Sequence, residues 1–179
     1  MTDRLQQLQA MITSGATTEQ ALDFFDALEA VELHMMIGQW RGVGLPTQHL
    51  MDGLLESFGW YGKAFFDPDH VHPLLFKIND QVAAIDPRWV PISLVAQYQL
   101  PLQNLLAKLS TPAKHMMTTS ESRARIRMVD FRGKLSATMI YDHFPIFDIF
   151  RRIDDNTLLG VMDFKGIKQP FFFVLYRDN

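Results

Sequence analysis

Three glycines are threaded around one tryptophan in "HMMIGQWRGVGLP", residues 34–46: Gly38, Gly42 and Gly44 flank Trp40 in an apolar, strand-like run. Glycine inside a strand forfeits packing and costs chain entropy, so it marks a bend, a bulge or a close backbone approach. In period two, Met36, Gly38, Trp40 and Gly42 share one face, and the indole is expected to stand in the room its glycine neighbours leave. Sharply bent strands around one large plug fit a small closed or nearly closed barrel better than a flat open sheet.

The remaining sequence supplies strands for such a barrel. "RARIRMVDFRGKLSATMIYDH" reads as two alternating runs joined at Arg132-Gly133-Lys134. "TLLGVMDFKG" adds a run after the Asp154-Asp155-Asn156 turn, and "PFFFVLYRD" adds another, making four sequential strands of an antiparallel meander. Earlier, "WYGKAFF", "PLLFKIND" and "QVAAID" are short apolar runs separated by turn residues, with Asn79-Asp80 at a hairpin tip. Helical spacing appears at Leu5, Leu8, Met11 and Ile12, and again in "TTEQALDFFDALEAV" behind Thr17 or Thr18 as N-cap. Further helices are predicted over 47–58, between Thr47 and Gly59, and over 101–109 through Leu102, Leu105, Leu106 and Leu109. One structural domain is expected, organised as an N-terminal helical segment 1–31, a first barrel half with inserted helices 32–112, and a C-terminal meander 113–179. The polar loop "STPAKHMMTTSES" marks the junction of the last two.

The pentapeptide Gly38-Gln39-Trp40-Arg41-Gly42 resembles the signature of the family named for its GXWXG motif, whose second half is a domain of unknown function. The stretch "RMVDFRGKLSATMIYDHFPIFDIFRRIDDNTLLGVMDFKG" and the final strand with Arg177 are similar to that second half. The Gly-x-Trp opening and the late arginine also resemble the calycin superfamily of lipocalins and fatty-acid-binding proteins. That resemblance implies a mainly β fold with added helices: a calycin-like, lipocalin-like antiparallel β-barrel with N-terminal helices. It also implies that Arg177 lies over Trp40 at the closed end, a cation–π contact worth about 1–2 kcal/mol when desolvated. Gly38, Trp40, Gly42 and Arg177 are therefore expected to be structural.

Seventeen basic against twenty acidic residues give a formal charge of -3 over 179 residues, which supplies neither a field for nucleic acid nor a polybasic segment for membranes. Cysteine is absent, which excludes disulfides and thiol chemistry and permits a reducing compartment. With no signal-peptide core and no apolar run of ~18 residues, a cytoplasmic protein without a transmembrane segment is expected.

Candidate chemistry concentrates in "MIYDHFPIFDIFRRID". Tyr141, Asp142, His143, Asp148 and Arg151, with Met139 and Arg127, are expected to rim an apolar cavity and hold a ligand's polar end. Alternatively these groups form a satisfied internal network, with Asp148 and Arg151 paired at i,i+3 and Asp142 capping a turn. Arg123, Arg125 and Arg127 line one strand face and call for an acidic side chain or an anionic ligand, unless they are simply solvated. Asp67, Asp69, His70 and His72 lack the convergent ligands a metal requires, so no metal is assigned. No nucleophile elbow, P-loop, dinucleotide fingerprint or zinc-protease helix is present, and no cofactor is assigned.

These features point to binding of a small apolar molecule, a fatty acid or another lipid, inside the barrel. The alternative is a small enzyme, a decarboxylase, isomerase or hydrolase, acting through Tyr141, Asp142 and His143. The apolar residues Phe24, Phe25 and Leu28 either cap the barrel or form a homodimer contact.

Overall fold

The computed structural model describes residues 3–90 and 115–178. Two helices open the chain, α1 (Asp3–Ser14) and α2 (Thr18–Ala27). Thr17 caps α2 reciprocally: its hydroxyl accepts from Gln20 N at 3.1 Å while Gln20 Oε1 accepts from Thr17 N at 2.9 Å. A two-residue strand, β1 (Glu29–Ala30), and a helical turn, α3 (Leu33–Met36), lead into β2 (Gly38–Gly44). After α4 (Leu54–Ser57) come β3 (Trp60–Phe65), β4 (Val71–Ile78) and β5 (Gln81–Ala84). The second half is β6 (Ala124–Phe131), β7 (Lys134–Tyr141), β8 (Ile146–Asp154), β9 (Thr157–Phe164) and β10 (Phe171–Arg177).

Eight of these strands close an antiparallel barrel in chain order: β2, β3, β4, β6, β7, β8, β9, β10 and back to β2. β5 is an appendage on β4, and β1 adds to the edge of β8. Closure is made by β10 on β2, where Arg177 stands opposite Trp40. The β6–β7 hairpin turns through Arg132 and Gly133, both at positive φ (54° and 75°), with Phe131 opposite Lys134. Those are the dihedrals of a two-residue type I′ turn, which matches the twist of the strands it joins.

Two apolar layers follow from strand alternation. Inward side chains, including Trp40, Phe65, Ile126, Met139, Phe150 and Phe173, form the barrel core. Outward side chains of β8, β9 and β10, among them Ile149, Val161 and Phe172, form a second core with Leu8, Phe24, Phe25 and Leu28. Each fully buried Phe or Leu contributes about 1.5–3 kcal/mol. The N-terminal helices thus cover the side wall, and Phe24, Phe25 and Leu28 are spent inside the molecule, so they form neither an end cap nor an exposed dimer patch.

Four sequence expectations are corrected. The helix over 47–58 shrinks to α4, four residues long, behind Gly53 in the left-handed region at φ 72°. Polar side chains take the backbone donors first: Asp52 Oδ2 accepts from Thr47 N and His49 N, and His49 Nδ1 accepts from Met51 N. The meander has five strands, not four, because β8 lies in the polar stretch read as a site. Met36 belongs to α3 and not to the Trp40 strand; its carbonyl accepts from Trp40 Nε1 at 2.7 Å. Gly42 makes room for a different indole, since a Cβ there would overlap the ring of Trp60. The helix predicted over 101–109 and the first part of the loop after it lie outside the described residues.

Candidate functional site

Inside the barrel sits an ion pair. β3 runs Trp60, Tyr61, Gly62, Lys63, Ala64, Phe65, and Lys63 points inward with Phe65 despite its charge. The strand approaches β2 very closely at Gly62, whose φ of 151° and lack of a Cβ admit the Trp40 carbonyl. From β8, Asp148 points inward with Ile146 and Phe150, directly between Met139 on β7 and Met162 on β9. Lys63 Nζ lies 2.8 Å from Asp148 Oδ2, with side-chain exposures of 3% and 0%.

The ammonium has a further acceptor in the Pro73 carbonyl at 3.1 Å and faces the rings of Phe173, Tyr141 and Trp60 at 5.0, 5.7 and 5.8 Å. Asp148 is less well served. Oδ2 meets only the Lys63 ammonium, and Oδ1 has no hydrogen-bond partner. Burial raises the Asp148 pKa, and the nearby Lys63 charge opposes that rise without cancelling it. Tyr141 is buried as well, and desolvation followed by the Asp148 charge holds its phenol well above the ordinary value, so it is a hydrogen-bond donor at neutral pH. A carboxylate with free lone pairs, an ammonium and a phenol therefore share an aromatic interior.

At one end of the barrel, the Arg177 guanidinium lies 4.2 Å from the Trp40 ring centroid and donates to Met35 O at 2.7 Å and Ile37 O at 3.0 Å. Trp40 is fully buried.

Of the residues singled out from the sequence, Tyr141, Asp148 and Met139 come together in the interior. Asp142 and His143 do not join them. Opposite parity sends Asp142 outward to Arg125 at 2.7 Å, and His143 is exposed in the following turn. Arg127 is also outside, donating to Pro68 O at 2.8 Å and pairing with Asp69. The arginine row meets acidic side chains: Arg123 reaches Asp86 at 2.9 Å, beside the pairs of Arg125 and Arg127. Asp148 and Arg151 do not pair, because residues i and i+3 of a strand face opposite sides. Arg151 is buried under α2 instead, 4.7 Å from the Phe25 ring centroid and donating to Phe131 O at 2.9 Å. Asp67 caps its own loop, accepting from Asp69 N and His70 N, and contacts the His70 ring at 2.8 Å.

Lys63 went unnoticed in the sequence. Its signal was one charge in the apolar run "WYGKAFF", two residues from Phe65, where an inward strand position carries a cation.

Residues 23–80 match the family model described as GXWXG protein, and residues 122–177 match a domain of unknown function, DUF4334. This chain belongs to the GXWXG family. The chain is similar to a protein from Thermomonospora curvata of known crystal structure, at 32% identity and a TM-score of 0.72, over 99% of this chain and 100% of that one. Among curated proteins no match was found. The GXWXG region runs from α2 to the β4–β5 turn and carries Lys63, whereas the DUF4334 region carries β6 to β10 and Asp148. The ion pair therefore joins the two matched regions of the chain. Among the described residues, no helix is long and apolar enough to cross a membrane.

Proposed function

We propose that the barrel binds a small apolar molecule, a fatty acid or another lipid, with its polar end at Lys63, Asp148 and Tyr141 and its apolar part among the inward aromatic and methionine side chains. The reading rests on one observation: a buried carboxylate whose Oδ1 lacks any hydrogen-bond partner sits beside a buried ammonium in an otherwise apolar interior. A merely structural core gains nothing from such a group, because an unsatisfied buried acceptor costs about 1–3 kcal/mol. A ligand hydroxyl or amide would satisfy it. Inward rings retain some accessible surface, 7% at Trp60 and 6% at Tyr141 and Phe164, while Trp40 retains none. A few polar groups in an apolar concavity is the usual composition of a small-molecule site. The chain has no cysteine, which suits a reducing, cytoplasmic setting.

The test is native mass spectrometry of the protein as purified, followed by denaturation and identification of what is released. Delipidated protein is then titrated with a fluorescent acyl-chain probe. One saturable site, lost in Asp148→Leu, is expected; absence of saturable binding for every chain length tried overturns the reading.

A further inference from the structure

The interior charges narrow the ligand. Lys63 and Asp148 neutralise each other at 2.8 Å, so an anionic ligand head would face the Asp148 carboxylate with no surplus cation to hold it. A neutral head is favoured. The same two residues place an amine and a carboxylic acid side by side, and the Lys63 nitrogen is turned toward three aromatic faces at 5.0–5.8 Å. A lysine in an apolar pocket is the usual nucleophile for carbonyl compounds.

We propose that the barrel takes neutral apolar aldehydes or ketones and holds them as a reversible iminium on Lys63, with Asp148 as its proton carrier and counter-ion. This inference rests on the binding reading and specifies its ligand class.

The step balances within the pair. The Lys63 ammonium passes a proton to Asp148, and the freed amine lone pair forms a C–N bond to the carbonyl carbon as the C=O π pair moves to oxygen. A second nitrogen proton moves to that oxygen, giving a neutral carbinolamine. Asp148 then protonates the hydroxyl, which leaves as water, and the nitrogen lone pair closes the C=N⁺ bond. One ammonium and one carbonyl become one iminium and one water, with Asp148 again a carboxylate. The interior starts and ends with the same two charges, so no charge is buried or exposed by the reaction. The upward shift of Asp148 suits a group that must hold a proton transiently. The rings that face the ammonium face the iminium equally, and a cation over aromatic faces is stabilised most where water is excluded.

Delipidated protein is incubated with decanal and cyanoborohydride, then read by intact mass and peptide mapping, with decanol binding measured in parallel by displacement of the acyl probe. The expected result is one decyl group on Lys63, formed ~10-fold or more faster than on Lys77 or Lys165. Decanol is expected to slow the labelling in proportion to its occupancy, and Asp148→Asn to lower the labelling rate of the decanal-saturated protein. Lys63→Met is expected to abolish the single adduct; should that variant not fold, the decanol competition in the wild-type protein decides. Decanol binding with decyl groups scattered over surface lysines and none on Lys63 overturns the iminium and leaves the binding reading standing. Failure of both decanol and decanal to bind overturns both.

Discussion

A lysine and an aspartate at 0–3% exposure are held at odds with their hydration, and their mutual attraction repays that cost only in part. Removing one partner leaves the other buried and uncompensated. Lys63→Met or Asp148→Leu alone is expected to destabilise by about 3–5 kcal/mol, whereas the double variant returns to within about 1 kcal/mol of wild type or exceeds it. Urea unfolding midpoints of the three variants check this, and a double variant as unstable as the worse single one would show that the pair supports the fold. Asp86 has the opposite character. Arg88 grips it with three guanidinium contacts of 2.6–3.1 Å, and Arg123 adds another, holding its pKa at about 2 against an ordinary 3.8. A carboxyl depressed by folding contributes stability above its unfolded pKa and loses it as pH falls through the folded one. The contribution is about 2 kcal/mol, present above pH 3.8 and gone below about pH 2. Asp86→Asn is expected to flatten that part of the stability–pH curve. Asp148, shifted upward, bends the curve the other way: its folded state keeps the proton longer, so its contribution declines as pH rises from 3.8 through the folded pKa.

At the scale of elements, the fit between β2 and β3 is the tightest constraint. A methyl group at Gly42 would collide with the Trp60 ring, which is itself packed edge-on to Phe173 at 5.9 Å. Gly42→Ala is expected to cost about 1–3 kcal/mol through overpacking, seen as a lower urea midpoint with an unchanged denaturant slope. That a glycine near Trp40 had a steric purpose was legible in the sequence, but its beneficiary was not, because Trp60 reaches Gly42 only after β2 and β3 pair. The same distinction separates the other successes and errors. Local signals such as the Thr17 cap, the Asn79-Asp80 turn and the Arg132-Gly133 turn depend on a few adjacent residues, and the structure has all three. β8 escaped notice because Asp148 inside and Arg151 outside, each buried by non-local neighbours, disguise its alternation. The helix predicted over 47–58 lost to His49 and Asp52, whose side chains claim backbone donors that a helix would have used. Half of the interior polar cluster was readable: Tyr141, Asp148 and Met139 stand on adjacent strands, while Lys63 arrives from the opposite half of the chain.

At the scale of the whole molecule, the cylinder is unevenly fastened. β6 and β7 share eight opposed residue pairs, as do β8 and β9, but β4 and β6 share one, Val71 with Ala124. The amides of Arg123 and Ile126 add bonds to Val71 O and Pro68 O at 3.1 and 2.9 Å. Across this join, Arg127 reaches over to Asp69 and Pro68, and Arg123 to Asp86. Charges therefore do here what ladder hydrogen bonds do elsewhere in the wall. The exposed Arg127–Asp69 pair responds to electrolyte, whose screening length falls from ~10 Å at 0.1 M to ~3 Å at 1 M, more than the mostly buried Arg123–Asp86 pair does. Hydrogen exchange across that range is expected to quicken at the Arg123 and Ile126 amides and to leave the β8–β9 amides unchanged. A barrel stapled by arginines at one join has a preferred side on which to breathe, and the ionic composition of its surroundings is expected to set how often the wall opens there.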